Sequence, residues 1–170
     1  MSNPTPMSPV LLSRYLGQQY PPTDQQAAVI GAEPGPLLVV AGAGAGKTET
    51  MAARVVWLVA NGYARPDEVL GLTFTRKAAQ EMGKRIRDRL GSLAANTDLV
   101  HRLDPSGELA DNLQVIAPSV STYDSYAGEL IREYGLLVPV EPDARLITDA
   151  ELHAIATDVV VNYSGGLITE

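Results

Sequence analysis

Residues 41–48 read Ala-Gly-Ala-Gly-Ala-Gly-Lys-Thr (AGAGAGKT). In front of them stands an apolar run, Leu37-Leu38-Val39-Val40-Ala41, bounded by Pro34-Gly35-Pro36. A short apolar run between turn signals predicts a fully buried strand. Behind them, Lys47 to about Asn61 predicts a helix stopped by Gly62. A glycine turn between a strand and a helix lets backbone N–H groups curl round phosphate oxygens at the positive end of the helix. In such a loop Ala41, Gly42, Ala43, Gly44, Ala45 and Gly46 form the cradle. Lys47 reaches the β and γ phosphates, and the Thr48 hydroxyl ligates Mg2+. The strictest form of the pattern has Gly where this chain has Ala41, at the strand end, where a small residue suffices. A merely flexible Gly/Ala turn would explain neither the Lys-Thr pair nor the flanking elements. The loop points to a nucleoside triphosphate with Mg2+, not to what the triphosphate drives.

Outward from the loop, the proline-rich residues 1–9 read as a mobile tail. Residues 10–19 and 23–32 predict helices separated by Pro21-Pro22, with Thr23 capping the second. Val69 to Thr73 predicts a second buried strand. Arg76 to Leu90 predicts a helix whose apolar stripe is Ala79, Met82, Ile86 and Leu90. Residues 91–117 have weak periodicity and read as a surface insertion, with a turn at Asp104-Pro105-Ser106-Gly107. Ser119 to Thr122 predicts a third strand. The following helix carries Tyr123, Tyr126, Ala127, Leu130, Ile131 and Tyr134 on one face and stops at Gly135, and a last helix covers Asp149 to Asn162. Strands alternating with helices predict an α/β fold, a parallel sheet with helices on both faces.

Composition excludes several classes. The chain is 45% apolar and 19% charged, close to the globular average. With no cysteine there is neither a disulfide framework nor a thiolate metal site, which fits a reducing cytosol. The start, MSNPTPMSP, has neither the basic flank nor the apolar run of a signal peptide, so the expected location is cytoplasmic. The longest purely apolar stretch, Val55 to Ala60, is too short to span a membrane. His101 and His153 stand alone and read as surface or packing residues. The net charge of −7 is unevenly spread. Residues 1–103 hold 11 basic and 8 acidic residues, whereas residues 104–170 hold 2 and 12. A polyanion would therefore dock on the first part, where Arg76, Lys77, Lys84, Arg85, Arg87 and Arg89 cluster, although a solvated helix face explains that cluster equally well.

Three further segments carry a resemblance. Pro22-Thr23-Asp24-Gln25-Gln26-Ala27-Ala28-Val29 resembles the Q motif of UvrD/Rep-type superfamily 1 DNA helicases. Gly71 to Met82 (GLTFTRKAAQEM) resembles their motif Ia, and Val120 to Gly135 (VSTYDSYAGELIREYG) their motif Ib. The wording of Gly46 to Gly62 (GKTETMAARVVWLVANG), with Leu70 to Ala79 (LGLTFTRKAA) and Ser121 to Ala127 (STYDSYA), is most similar to the AdnB-type helicase–nuclease subunits of that family. The resemblance implies a RecA-like P-loop fold and ATP-driven 3′-to-5′ tracking on single-stranded DNA, in DNA repair or recombination. It implies Gln25 as reader of the adenine edge, a task for which a carboxamide can donate and accept at once. It also implies Thr73, Phe74, Thr75, Arg76 and Lys77 as part of the floor under the DNA, with Phe74 offering its ring to a base. From motif Ib it carries over Thr122 and Ser125. Asp124 stands where many relatives have His, and reads as a helix cap. Tyr123 and Tyr126, on the apolar helix face, read as core. Glu49 stands where many relatives have Arg.

No apolar strand after residue 135 ends in the Asp-Glu pair expected of this family, since Glu141, Asp143, Asp149 and Glu151 fall in a turn or on a helix. The chain therefore reads as an N-terminal fragment. A partial motor domain covers 10–135, and 136–170 opens an inserted helical subdomain. Binding of Mg·ATP with little or no hydrolysis is expected, and so is a partner helicase–nuclease subunit. Two other readings stay open: a P-loop kinase acting on a small metabolite, and a non-enzymatic nucleotide-binding module.

Overall fold

The computed structural model describes residues 5–115, 118–138, 147–163 and 165. The chain divides into two compact units, residues 1–126 and 127–170. In the first, α1 (Pro9–Tyr15) opens at Ser8, whose hydroxyl accepts from the Leu11 N–H, with Pro9 in the first turn. Proline suits that place because its missing N–H would have had no helical partner. This helix ends earlier than the sequence predicts. Residues 1–4 of the expected tail lie outside the described residues. Met7, by contrast, is tied down: its carbonyl accepts from Trp57 Nε1 at 2.6 Å, and its N–H donates to Asn61 Oδ1 at 2.7 Å.

Helix α2 (Asp24–Ile30) begins with a capping box. Thr23 Oγ1 accepts from the Gln26 N–H, and Gln26 Oε1 accepts from the Thr23 N–H. Thr23 is thus the cap that its place after Pro21-Pro22 predicts. Helix α3 (Lys47–Ala60) follows the glycine loop. It closes where predicted, because Gly62 takes φ 71°. Its N–H donates to Val59 O and that of Tyr63 to Leu58 O, which satisfies carbonyls the helix end would orphan.

Strand β1 (Leu70–Thr73) leads into α4 (Arg76–Ala95), and the path returns through α5 (Thr97–Leu103) and α6 (Glu108–Val115) to β2 (Ser119–Thr122). The two strands pair in parallel, Leu70 with Ser119 through Thr73 with Thr122. Helix α4 packs on both strands and on α3, so the core lies between α3 and α4. Ala79, Met82, Ile86 and Leu90 are buried, as their helical spacing predicts. Met82, Ile86 and Leu90 share one core cluster with Ala52, Val56, Trp57, Val59 and Ala60 of α3. Fully burying side chains such as Ile86 or Val56 stabilises by roughly 1.5–3 kcal/mol each.

The expectations for residues 37–41 and for the stretch after residue 90 also need correction. Residues 37–41 do not form a strand: Leu38 is 88% and Val40 87% exposed. An apolar run becomes a strand only when neighbours supply hydrogen-bond partners, and among the described residues β1 and β2 pair only with each other. The parallel sheet here is accordingly two-stranded. Residues 91–115 are not a surface insertion. Leu93, Leu99, Val100 and Leu109 join the core, carried by the last turn of α4 and by α5 and α6. The turn after α5 is as predicted and has a clear cause. Asp104 accepts from the Ser106 N–H and hydroxyl through one oxygen and from the Leu109 N–H, in the first turn of α6, through the other.

Helix α7 (Tyr123–Tyr134) follows β2 directly, with no buried side chain. Its cap is Thr122, whose Oγ1 accepts from the Ser125 N–H, so Asp124 is an acid in the first turn and not the cap. In the second unit, α8 (Asp149–Asn162) has the predicted bounds and opens with a capping box between Thr148 and Glu151. Glu141 and Asp143 lie outside the described residues. Asp149 and Glu151 sit in the first turn of α8, at no strand end. Among the described residues no helix is long and apolar enough to cross a membrane.

Candidate functional site

The loop at 41–48 is shaped by two left-handed glycines, Gly44 at φ 77° and Gly46 at φ 78°. Side-chained residues avoid that region, so the Gly-Ala alternation places glycine where the chain must turn. A Cβ at Gly46 would also stand 2.9 Å from Gln26 Nε2, so the glutamine amide would have to shift away from the loop. At Gly42 and Gly44 a Cβ would meet nothing within 4 Å, so that wall of the loop is open. Gly46 is the N-cap of α3 and supplies no side-chain acceptor, which leaves the first-turn N–H groups directed at the loop. Lys47 Nζ lies inside the curl, donating to Ala41 O at 2.9 Å and Gly42 O at 2.7 Å. A phosphate chain entering the loop would compete for the same ammonium protons. Thr48, in the first turn, is exposed beside it. Open glycines, one ammonium, one hydroxyl and a helix N-terminus are the donor set a Mg·triphosphate needs. When bound, the ion would offset phosphate charge. No cluster of three or more metal-ligating residues occurs among the described residues, and His101 and His153 are exposed.

The glutamine beside the loop is Gln26. Its Nε2 donates to Ala45 O at 3.2 Å while its Oε1 completes the α2 cap. It lines a cavity of about 450 Å³ together with Tyr20, Pro22, Glu49, Thr50 and Arg89. Gln25, the residue implied by the resemblance, is exposed and does not line that cavity. The Thr23-x-x-Gln26 spacing is the sequence signal that marks Gln26.

Two arginines have structural roles that the sequence did not reveal, Arg54 and Arg89, the latter expected only as one of a basic cluster. Arg54 of α3 donates to the carbonyls of Val29, Ile30, Ala32 and Glu33. It thereby satisfies the C-terminal end of α2 and fastens the segment that leads toward the loop. Arg89 of α4 has a side chain 15% exposed and pairs with Glu49, which also accepts from Arg85 at 3.0 Å. Arg89 further donates to the Glu49 carbonyl. Burial lowers the pKa of the Arg89 guanidinium. Nothing in the sequence spacing pairs residue 49 with residue 89; only the packing of α3 on α4 does.

The residues singled out from motifs Ia and Ib meet at one edge of the ladder. Thr73 is buried and its hydroxyl donates to Thr75 O. Thr75 Oγ1 caps α4 through the Ala78 N–H. Thr122 is buried, and its hydroxyl donates to Ser125 Oγ at 2.8 Å. Ser125, Arg76 and Lys77 are exposed. Phe74 is 89% exposed, its ring centroid 5.2 Å from that of Tyr123. Tyr123 is itself half exposed, so its expected core role is not what the structure gives.

Fold and site together define an α/β chain with a glycine-rich phosphate-type loop at the head of a helix and a mixed aromatic and basic strand edge. A family model described as the UvrD/REP helicase N-terminal domain matches residues 22–164, and the chain belongs to that family. The family implies the P-loop NTPase fold. Among similar proteins, DNA helicase IV of Escherichia coli (strain K12) is 54% identical over 66 residues, 39% of this chain and 10% of that protein. An ATP-dependent helicase/nuclease subunit of Listeria monocytogenes serotype 4b (strain F2365) is 35% identical over 144 residues, 82% of this chain and 11% of that protein. ATP-dependent DNA helicase UvrD2 of Mycobacterium bovis (strain ATCC BAA-935 / AF2122/97) is 48% identical over 64 residues, 38% of this chain and 9% of that protein. The chain thus spans about a tenth of the length of these relatives.

Proposed function

We propose that this chain is the ATP-binding N-terminal part of an ATP-dependent DNA helicase that moves 3′ to 5′ along single-stranded DNA, serving repair or recombination in the cytoplasm. The observation that carries this reading is the loop at 41–48, with two left-handed glycines, an inward Lys47 and an exposed Thr48 at the head of α3. Backbone amides of Ala41 to Gly46 hold the β and γ phosphates, Lys47 balances their charge, and Thr48 holds Mg2+. The base and sugar extend toward the cavity beside Gln26, and the family resemblance implies Gln25, the preceding residue of α2 and outside that cavity's lining, as the reader of the adenine edge. Residues 10–135 make up the partial motor domain and 136–170 the start of a helical subdomain. The strand edge at Thr73 to Lys77, with Thr122 and Ser125, faces single-stranded DNA. The similarity to a helicase/nuclease subunit supports a partner for the whole protein.

Because the grip lies in this chain and no acid at a strand end is found among the described residues, we expect Mg·ATP binding with little turnover. The experiment titrates a fluorescent ATP analogue and, separately, a labelled oligonucleotide at two salt concentrations. ATP binding abolished by Lys47→Ala, with oligonucleotide binding that weakens as salt rises, supports the reading. ATP binding untouched by Lys47→Ala overturns it. Nucleotide binding with no oligonucleotide binding at either salt favours a kinase or a non-enzymatic module.

A further inference from the structure

We propose that Tyr123 is a positioning residue for nucleobase capture: it holds the Phe74 ring outward at the C-terminal edge of the ladder so that one base of a single strand stacks on that ring. The proposal rests on the nucleic-acid reading above and adds a residue which that reading did not use.

The backbone sets up the pair. Thr73 and Thr122 face each other in the parallel register, so Phe74 and Tyr123 leave adjacent strands side by side. Neighbouring strands run about 4.8 Å apart, which by itself brings the next two side chains within ring-to-ring reach. The rings meet at 5.2 Å with a 39° tilt. Such a contact restrains an aromatic side chain that would otherwise sample several rotamers, and the entropy cost of stacking on a base is then partly met before binding. Folding does not account for the result, since the chain's sole phenylalanine stays 89% exposed instead of joining the core.

Charge on either side selects the occupant. Arg76 and Lys77 stand exposed in the first turn of α4, two and three residues beyond Phe74. Asp124 stands exposed in the first turn of α7, next to Tyr123. A phosphate is therefore attracted on the α4 side and repelled on the α7 side, which leaves the ring pair for a base. An apolar peptide or a lipid surface would have no use for this polarity. A duplex offers no free base face, whereas a single strand offers one at every nucleotide.

The test measures oligo-dT affinity by anisotropy for wild type, Tyr123→Phe, Tyr123→Ala, Phe74→Ala and the double alanine variant, using intact and abasic oligonucleotides. Stacking of this kind implies that Phe74→Ala weakens binding about five-fold or more. Tyr123→Ala should follow in the same direction, Tyr123→Phe should bind as wild type, and the double variant should be no weaker than Phe74→Ala. On the abasic strand these differences should vanish, which a general loss of fold would not produce. Binding of the fluorescent ATP analogue by Tyr123→Ala checks that the loop remains intact. Wild-type affinity in Tyr123→Ala, or an unchanged deficit on the abasic strand, overturns the proposal while leaving the nucleic-acid reading in place. A wild type that binds no oligonucleotide at either salt overturns both.

Discussion

Gln26 donates its side-chain amide to the carbonyl oxygen of Ala45 at 3.2 Å, joining a helix that ends before the loop begins to the loop itself. The same side chain caps that helix, so one residue serves both ends of the connection. Gln26→Ala removes both bonds. We expect a loss of about 1 kcal/mol in stability, typical of a lost capping interaction, seen as a lower denaturant midpoint. Affinity for all nucleotides should fall several-fold. Gln25→Ala should leave stability unchanged and alter only the preference for ATP over GTP, and equal effects of the two variants on GTP binding would contradict this division.

Lys47→Ala removes an exposed ammonium from the loop's own carbonyls. Thermal unfolding followed by circular dichroism should barely move, because exposed charges contribute about 0–1 kcal/mol. Triphosphate affinity should fall at least ten-fold in calorimetry, and a parallel collapse of the melting curve would instead mean a structural role for the side chain.

Glu49 is the anchor for Arg89, which burial has partly stripped of water. Glu49→Ala leaves that guanidinium unpaired and should destabilise by roughly 2–3 kcal/mol, a partly solvated fraction of what breaking a fully buried pair costs. Adding Arg89→Met to it should recover most of the loss, measurable as a double-mutant cycle in urea. Arg85→Ala, which removes the more exposed partner, should cost less than about 1 kcal/mol.

Asp104 organises the start of α6, and the hydrogen bonds from Ser106 and then Leu109 lower its pKa. A carboxyl depressed in the folded state contributes stability that is fully present above the unfolded value, about pH 3.9, and drains away as pH falls through the folded value. Asp104→Asn should therefore lower the stability measured at neutral pH and flatten its decline on acidification. An identical acid limb in the variant would show that the bonds to Ser106 and Leu109 do not persist in solution.

Leu93 is fully buried although its surroundings lack clear periodicity. Leu93→Ala should cost about 2–5 kcal/mol by leaving a cavity between α4 and its neighbours. A surface position would lose almost nothing, so a chemical denaturation curve separates the alternatives directly.

Local sequence settled whatever depends on neighbours a few residues away. Thr23 and Gly62 terminate helices through their own side-chain or backbone geometry, and the glycines at 44 and 46 adopt the turn that their lack of a Cβ permits. The stripe Ala79, Met82, Ile86 and Leu90 is a matter of helical period. Long-range packing set the rest. Helices α5 and α6 are seven and eight residues long, too short for a period to declare itself, and their burial is set by the flank of α4. Leu37 to Val40 has the composition of a strand, but a strand exists only where another backbone supplies its hydrogen bonds. Gln25 and Gln26 are adjacent in sequence, yet on a helix successive side chains diverge by about 100°, so only the docking of α2 against the loop selects between them. Phe74 and Tyr123 are 49 positions apart and become neighbours solely because two parallel strands end together, a pairing fixed by register and invisible to any local pattern.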